Sequence, residues 1–430
     1  MVLLLFCAGL LACLALDLNM LWALLFGLLL FLLHGRRRGF SWRELFSMAL
    51  RGAKTVWGIM LAFVLIGVMT ALWRAAGTIP VLICYASTLI RPGVFLLMCF
   101  LLNCGMSLLT GSSFASTATM GVICAAMGAA MGVDVRLVGG AVLSGVYFGD
   151  RCSPVSTSAL LVAELTETNI FDNIRRMLRS ALVPFLLSCG IYLALGLLRP
   201  AAGQTQDLRA LFAREFLLHP LALLPAAVIF VLALFRVPVK PAMSVSILCA
   251  LPLCLFLQHR TAPELLRASL FGYHCADARL AAMLDGGGIL SMLNVIGVVL
   301  LSGSYSVLFQ KTGLLDGIRS RLSGLAGRMG TYPVTLLTSL VSVAVSCNQS
   351  LSSILCVQLC GGLYPDRGEL ALDLEDTVVV IAALIPWCIA CSVPLAMTGA
   401  PVSAIAFACY LWLLPLWRLM GALVKKKNPV

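Results

Sequence analysis

Charged residues are scarce in this chain of 430 residues. They make up 11% of it, whereas a soluble protein keeps roughly a quarter of its residues charged. Hydrophobic residues make up 61%, and runs such as Leu21–Leu33 and Leu221–Leu234 offer almost nothing to water. This composition excludes a soluble fold. It predicts an all-α polytopic membrane protein with room for about ten to twelve spans of roughly 20 residues each.

Signatures of cofactors and resident metals are also scarce. The chain has no GxxxxGK[ST] motif, so nothing indicates ATP binding. Cys388 and Cys391 form a single CxxC, without the second pair or nearby histidines that a zinc site needs. Most of the 17 cysteines lie in apolar runs, where they behave as small hydrophobic residues. We therefore predict no cofactor, no metal centre and no enzymatic activity.

Basic residues outnumber acidic ones by 30 to 18, but they cluster in short segments instead of forming a nucleic-acid footprint. Cytoplasmic loops of membrane proteins carry such an excess of Lys and Arg. We expect four cytoplasmic segments on this basis: Gly35–Lys54, Asn173–Ser180, Lys311–Arg328 and the tail Lys425–Lys427. Both termini are then cytoplasmic, the span at Val56–Trp73 runs outward, and the span at Gly288–Phe309 runs inward.

The first 54 residues predict a helical hairpin and a surface helix. Met1–Leu16 is apolar but lacks the basic start of a signal peptide. A second apolar run at Met20–Leu33 follows after a short turn, so we predict an uncleaved hairpin. Trp42–Ala53 reads as an amphipathic helix on the membrane surface.

A repeat at an offset of 236 residues divides the chain. Segment 65–77 aligns with segment 301–313 through identical Leu and Gly at fixed spacing, and the polar cluster Thr110–Thr117 aligns with Ser346–Ser353. The segment around Asp150 aligns with Pro386–Ser392 in the same way. We predict a first half at 1–198, with a basic loop at 35–54 and a transport core at 55–198, a linker at 199–213, and a second half at 214–430.

The charge bias gives the two matching spans opposite directions. Halves with opposite orientation are the inverted repeats of secondary transporters, in which broken helices meet at a substrate site near the midplane. The sequence therefore predicts two inverted-topology repeats with broken or re-entrant helices.

Two clusters of small polar residues lie at equivalent places in the two halves. Asn103–Thr117 interrupts an apolar region with Gly, Ser and Thr, and Ser346–Ser350 is its partner at the same offset. Freed carbonyls and hydroxyls at a helix break would coordinate a small cation, with Thr110, Ser113 and Asn348 as candidates. The alternative is helix packing through small residues.

Asp150 is the strongest candidate for an intramembrane carboxylate. It follows the apolar run Leu137–Phe148 and precedes Pro154, which predicts a helix unwound at Asp150–Pro154. Polar groups inside lipid are costly and mark functional sites, and carboxylates are ligands for hard cations. A proton and a cation would compete for this one group. The alternative is an Asp150–Arg151 pair at a loop edge.

A third cluster combines acids with a proline. For Asp373 and Glu375 we favour caps at a helix N-terminus, whereas Asp376 lies deepest and is the candidate second, coupling acid. Pro386 within an apolar run is typical of a broken helix. Glu164, Glu167 and Asp172 indicate a solvated loop before Arg175.

These motifs resemble a known family. The segments FGDRCSPVS and LEDT…LIPW, and Gly286–Gly288 ahead of a span, are similar to those of the NhaC-type Na⁺/H⁺ antiporters of the ion transporter superfamily, over roughly residues 50 to 400. The resemblance implies about eleven or more helices, inverted repeats, and cation- or proton-coupled transport. It also implies the following site residues: Asp150, Ser153, Ser156, Asn348, Gln349, Glu375 and Asp376.

The chain departs from this family at three places near the site. Thr157 stands where the family has an acid, Cys388 stands where it has Asn, and Val378 stands where it has Gly. We keep Thr157 in the candidate cation- and proton-binding set. Because relatives also carry organic acids and amino acids, the alternative prediction is an H⁺- or Na⁺-coupled transporter of such a compound.

Our sequence-based prediction is a multi-pass transporter of the cell membrane that exchanges Na⁺ or Li⁺ for protons. Its expected partners are a small ion or small molecule and membrane lipids, without nucleic acid, and a homodimer is compatible with it. An intramembrane aspartyl protease with Asp150 and Asp376 as its pair lacks the GxGD motif, because Tyr147 stands at the first Gly. A channel is a further alternative that counter-flow measurements would distinguish.

Overall fold

A computed structural model describes residues 2–427, apart from residues 17, 56, 90, 91, 155, 199–211, 236, 276, 278, 279, 282, 283, 313–326 and 328. The predicted linker at 199–213 and most of the predicted loop Lys311–Arg328 lie outside the described residues. Within the described ranges the chain is helical, without a β-strand, and an isolated antiparallel bridge joins Tyr273 to Gly286.

The helices of the first half follow one another through short connections. They are α1 (Val2–Ala15), α2 (Met20–Arg37), α3 (Trp42–Thr55), α4 (Trp57–Ala75), α5 (Thr78–Leu89), α6 (Phe95–Thr110), α7 (Ser113–Ser116), α8 (Val122–Ala130), α9 (Val135–Cys152), α10 (Thr157–Thr166) and α11 (Ile170–Leu198). A π-helical turn at Thr117–Gly121 joins α7 to α8.

The helices of the second half show the same mixture of long and interrupted segments. They are α12 (Leu224–Leu234), α13 (Val239–Pro252), α14 (Ala262–Phe271), α15 (Leu293–Thr312), α16 (Thr331–Ser346), α17 (Gln349–Cys360), α18 (Arg367–Asp376), α19 (Val378–Ile381), α20 (Ile389–Thr398) and α21 (Cys409–Lys427). Short 3₁₀ turns precede α12, α15 and α21, at Pro220–Leu223, Ile289–Met292 and Val402–Phe407.

This architecture is compatible with a polytopic membrane protein. Three helical stretches of the described chain are long and apolar enough to cross a membrane: Ser113–Ala130, Ile170–Leu198 and Lys240–Leu257. Shorter apolar helices, such as Phe95–Thr110 and Thr331–Ser346, accompany them. Helices suit an apolar bilayer because they satisfy their own backbone hydrogen bonds.

The N-terminal predictions are confirmed as helices. The hairpin corresponds to α1 and α2, and the amphipathic segment corresponds to α3. One face of α3 is buried through Leu45 and Met48, while Trp42 and Phe46 remain exposed on another.

Two predicted loops are wrong. Asn173–Ser180 lies inside α11, which runs without interruption from Ile170 to Leu198. Glu164 belongs to α10 and Asp172 to the first turn of α11, so the connection is only about three residues long. The charges did not require a loop, because a long helix extends its charged turns beyond its buried part; the side chain of Arg175 is 79% exposed.

The tightest helix pair carries the candidate site. Helix α9 packs against α6 through small residues, and a methyl group on Gly149 would lie only 2.4 Å from the Cβ of Ser107. The Ser107 hydroxyl donates to the carbonyl of Val146 at 2.5 Å. Such contacts between small residues let membrane helices approach closely, and they fix the end of α9 against α6.

Candidate functional site

The first helix break lies beside Asp150. Helix α9 ends at Cys152, Ser153 adopts an extended conformation, and Ser156 caps α10 by accepting from two backbone N–H groups. The break therefore begins three residues after the predicted Asp150, which remains in the last turn of α9. The Ser153 hydroxyl donates to the carbonyl of Leu108 at 2.8 Å, so it ties the break to α6.

The carboxylate of Asp150 is buried, with 4% of the residue exposed. The Ser156 hydroxyl donates to its Oδ1 at 2.9 Å. Ser113 and Ser158 also lie within hydrogen-bonding reach of this carboxylate. Asp150, Ser113 and Ser156 thus come together as the sequence predicted, and they form a nest of hydroxyl oxygens around one acid.

The second helix break supplies Ser113. Helix α6 ends at Thr110, Gly111 has a φ of +62°, and the Ser112 hydroxyl caps α7 by accepting from a backbone N–H. Glycine suits this position because side chains disfavour positive φ. The Thr110 hydroxyl bonds that of Ser116 at 2.8 Å, so Thr110 supports the turn and does not reach Asp150 through a described hydrogen bond.

A third break in the second half has the same local geometry. Helix α16 ends at Ser346, Cys347 has a φ of +56°, and Asn348 caps α17 by accepting from the N–H of Leu351 at 3.1 Å. The Ser346 and Ser352 hydroxyls lie 2.5 Å apart, as those of Thr110 and Ser116 do in the first half.

The two polar residues predicted for this third break serve the backbone. The Asn348 side chain is the cap itself, and the Gln349 amide donates to the carbonyl of Val379 at 3.0 Å. Among the described residues, no hydrogen bond joins either side chain to Asp150. Thr157 is exposed at the first position of α10, so the position of the missing family acid is not part of the buried cluster.

The acids of the third cluster lie at the end of a helix, not at its beginning. Asp366 caps the start of α18 by accepting from the N–H of Gly368 at 2.8 Å, whereas Asp373, Glu375 and Asp376 occupy the last turn. The prediction that Asp373 and Glu375 are N-terminal caps is therefore wrong. The predicted break near Pro386 is present, because regular helix stops after Ile381 and resumes at Ile389.

A buried ion-pair network surrounds Asp376. Arg151, whose side chain is fully buried, donates to Asp376 Oδ1, and it donates to the Ser180 hydroxyl at 2.8 Å. Arg418 Nε lies 2.9 Å from Asp376 Oδ2. The pair predicted as an alternative, Asp150 with Arg151, does not form, because Arg151 points to α18 instead.

Asp373 completes this network. Its carboxylate accepts from Arg418 Nη2 at 2.5 Å and from the Tyr364 hydroxyl at 2.8 Å. The guanidinium of Arg418 also lies over the ring of Tyr332, 5.5 Å from its centroid. Two arginines thus hold two aspartates between α9, α18 and α21.

Glu375 differs from both aspartates. It is fully buried, and neither of its carboxylate oxygens has a hydrogen-bond partner among the described residues. Its charge lies within electrostatic reach of Arg151, Asp150 and Asp376. An unpartnered buried carboxylate is costly, which marks Glu375 as a site residue.

Sequence reasoning missed Arg418, Tyr364 and Ser180. Arg418 carried a usable signal, because a single arginine inside the apolar run of the last helix is costly unless it is paired. Among the described residues, no group of three or more His, Cys, Asp or Glu is arranged to hold a metal ion.

Comparison with known proteins gives this arrangement a family. The model of the Na⁺/H⁺ antiporter family matches residues 1–161 and 145–420. The chain is 28% identical over 404 residues to the Na⁺/H⁺ antiporter NhaC of Alkalihalophilus pseudofirmus, covering 90% of this chain and 86% of that protein. Most of the chain therefore takes part in both matches.

Other relatives are named as antiporters of organic compounds. The chain is 26% identical over 383 residues to a malate-2H⁺/Na⁺-lactate antiporter of Bacillus subtilis, covering 86% of this chain and 82% of the relative. It is 26% identical over 362 residues to an arginine/ornithine antiporter of Halobacterium salinarum, covering 81% and 75%. These relatives are transporters, and since the family model spans nearly the whole sequence, the chain belongs to the Na⁺/H⁺ antiporter family.

Proposed function

We propose that this protein is a secondary active transporter that exchanges Na⁺ or Li⁺ for protons at a carboxylate site centred on Asp150. The observation that carries the proposal is the environment of this acid: it is buried at the junction of two helix breaks, with Ser156 and Ser113 around it. Hydroxyl and carboxylate oxygens are the ligands that hard cations prefer.

Exchange follows from competition for this single group. A proton neutralises the Asp150 carboxylate and needs no other ligand. A dehydrated cation also neutralises it but requires further oxygens, which Ser156, Ser113 and the carbonyls freed at the breaks would supply. Because the site is occupied by one or the other, loading a cation on one side releases a proton there, and the reverse occurs on the other side.

Inverted repeats would give the site access to both sides in turn, and helix boundaries support them. Moving by 236 residues takes the start of α4 at Trp57 to the start of α15 at Leu293, and both ends of α6 to those of α16. The positive-φ residues that end α6 and α16, Gly111 and Cys347, correspond at the same offset.

Two glycine contacts support a two-fold relation between the halves. A methyl group on Gly52 would lie 2.5 Å from the carbonyl oxygen of Gly303, and one on Gly67 would lie 2.6 Å from that of Gly288. The offset of 236 converts Gly52 into Gly288 and Gly67 into Gly303, so the partners of one contact become those of the other. A pseudo-two-fold axis produces such an exchange, and the charge bias puts this axis in the membrane plane.

Exchange of an organic acid or amino acid remains the second candidate, and the names of two relatives favour it. Thr157 is weak support for it, because this position is exposed while the carboxylates of Asp150, Glu375 and Asp376 are all present and buried. The intact carboxylate cluster favours cation exchange.

The test is proton flux in proteoliposomes that contain a pH-sensitive dye. Adding Na⁺ or Li⁺ outside should produce a saturable acid or alkaline shift in wild-type protein, and Asp150→Asn should abolish it. Glu164→Gln is the matched control, because Glu164 is an exposed acid on neighbouring α10. Full exchange by folded Asp150→Asn would refute the assignment. A wild type that responds only to carboxylates or amino acids would support the second candidate.

A further inference from the structure

The buried charges of the site do not balance. In the part of the chain that the structure describes, the cluster contains four acids and two arginines: Asp150, Asp373, Glu375, Asp376, Arg151 and Arg418. Arg151 is engaged by Asp376, and Arg418 is shared between Asp373 and Asp376. Asp150 and Glu375 are left without a cationic side chain of their own.

Two surplus negative charges cannot remain uncompensated in this environment. Removing a carboxylate from water is very unfavourable unless it is paired or takes up a proton. Each of Asp150 and Glu375 therefore needs one positive charge, and since the protein supplies none, the solution must supply a proton or a cation.

The surroundings of the two acids differ in what they accommodate. Asp150 has the oxygens of Ser156, Ser113 and Ser158 close by, which form part of a ligand shell for a cation. Glu375 has no hydrogen-bond partner on either carboxylate oxygen. A proton needs only one oxygen, whereas a hard cation needs several, so the environment of Glu375 suits a proton and that of Asp150 suits either ion.

We propose that Glu375 is a second proton carrier of this site and that Asp376, its neighbour in sequence, is a fixed ion-pair partner of Arg151 and Arg418. In one state Asp150 and Glu375 each hold a proton. In the other state both protons have left and one cation is bound at Asp150, within electrostatic reach of Glu375. Two positive charges are thus exchanged for one, and each cycle moves one net charge. This inference rests on the proposed cation–proton exchange.

The two neighbours differ because they face different sides of α18. Successive residues of an α-helix are about 100° apart around its axis. Asp373 and Asp376, three residues apart, share the side that meets Arg418. Glu375 lies off that side, and both of its oxygens lack a partner.

The test is the Na⁺ gradient at which net flux stops. Proteoliposomes are held at equal pH on both sides, and a K⁺ gradient with valinomycin sets the membrane potential. If one net charge moves per cycle, a tenfold K⁺ gradient is balanced by an about tenfold Na⁺ gradient. If no net charge moves, flux stops at equal Na⁺ concentrations whatever the potential.

The variants assign the second proton. Glu375→Gln should still exchange Na⁺ for protons, but its balance point should no longer respond to the potential. Glu369→Gln, at an exposed acid on the same helix, should keep the wild-type response. Glu375→Met is the second variant if Glu375→Gln does not fold; because no described hydrogen bond is lost, it should fold and behave as the Gln variant should.

The outcomes separate this inference from the proposed function. Absence of any cation-dependent proton flux in wild-type protein contradicts the exchange itself. Exchange in the wild type with a balance point independent of potential leaves the proposed function intact and overturns the two-proton inference. A potential-sensitive balance point in Glu375→Gln, or loss of all exchange in a folded variant, overturns the assignment to Glu375.

Discussion

Removal of Arg151 should destabilise the protein strongly, and more than removal of Arg151 together with its partner Asp376. The Arg151 side chain is fully buried and donates to Asp376, to the Ser180 hydroxyl at 2.8 Å and to the Tyr410 hydroxyl at 3.1 Å. It joins α9 to α18, α11 and α21 at once. Arg151→Met keeps an apolar stem of comparable length and removes every one of these bonds.

The expected cost follows from the charge that is left behind. Breaking a buried ion pair by removing one partner typically costs about 3–5 kcal/mol, because the other charge stays buried without compensation. Asp376 keeps Arg418 at 2.9 Å and the Ser180 hydroxyl at 3.1 Å. We therefore expect a value near the lower end, about 3 kcal/mol.

The double variant Arg151→Met/Asp376→Leu removes both charges. Replacing a whole buried pair by apolar residues is often nearly neutral, so the double variant should be more stable than the sum of the single changes predicts, by at least about 1 kcal/mol. The assay is thermal unfolding of the four proteins in detergent, with size-exclusion chromatography to monitor the folded fraction. Additive effects of the two changes would refute the proposed ion pair.

Two further predictions concern packing and capping. Gly52→Ala and Gly67→Ala should each cost about 1–3 kcal/mol in thermal unfolding, because the new methyl group would meet a backbone oxygen at 2.5 or 2.6 Å. Gly190→Ala, whose position is open in the described structure, should be neutral or stabilising by up to about 1 kcal/mol; equal losses at all three positions would contradict the packing. The Thr261 backbone N–H donates to Glu264 at 3.0 Å and lowers the pKa of this carboxyl below its ordinary value of 4.5. A lowered folded-state pKa stabilises above the ordinary value and loses that contribution as pH falls through the folded one. Hydrogen exchange in the first turn of α14, corrected for intrinsic rates, should therefore accelerate below about pH 4.5, and not in Glu264→Gln.

The positions of the helix breaks were largely predictable from local sequence. Gly111 followed by Ser112 provides a positive-φ residue and a capping hydroxyl, and this is the chemistry by which one helix ends and the next begins. Cys347 was less evident, because a residue other than glycine occupies the left-handed region there. The offset of 236 nevertheless indicated the place through its polar neighbours.

The break after α9 shows how far local sequence extends. Pro154 correctly indicated an interruption, since a proline removes a backbone donor and disfavours helix in the residue before it. That rule places the end of the helix near Ser153 and not at Asp150. The carboxylate therefore remains on regular helix, where the Gly149 contact with α6 holds it in position.

The pairing of charges was not predictable from sequence, because it joins residues far apart in the chain. Arg151 and Asp376 are separated by 225 residues. Sequence proximity favoured Asp150 as the partner of Arg151, but adjacent residues of a helix point in directions about 100° apart. A pair of adjacent opposite charges on a buried helix therefore more readily finds two different partners than each other.

The same geometry explains why a cluster of acids at the end of one helix supports two roles. Asp373 and Asp376 share a side of α18 and are held by arginines from other helices, so their negative charges are compensated within the protein. Glu375, between them in sequence, receives no such partner. If the arginines had satisfied all three acids, the buried cluster would leave only Asp150 to bind an ion from solution. The incomplete compensation at Glu375 is what gives this helix a role in transport as well as in stability.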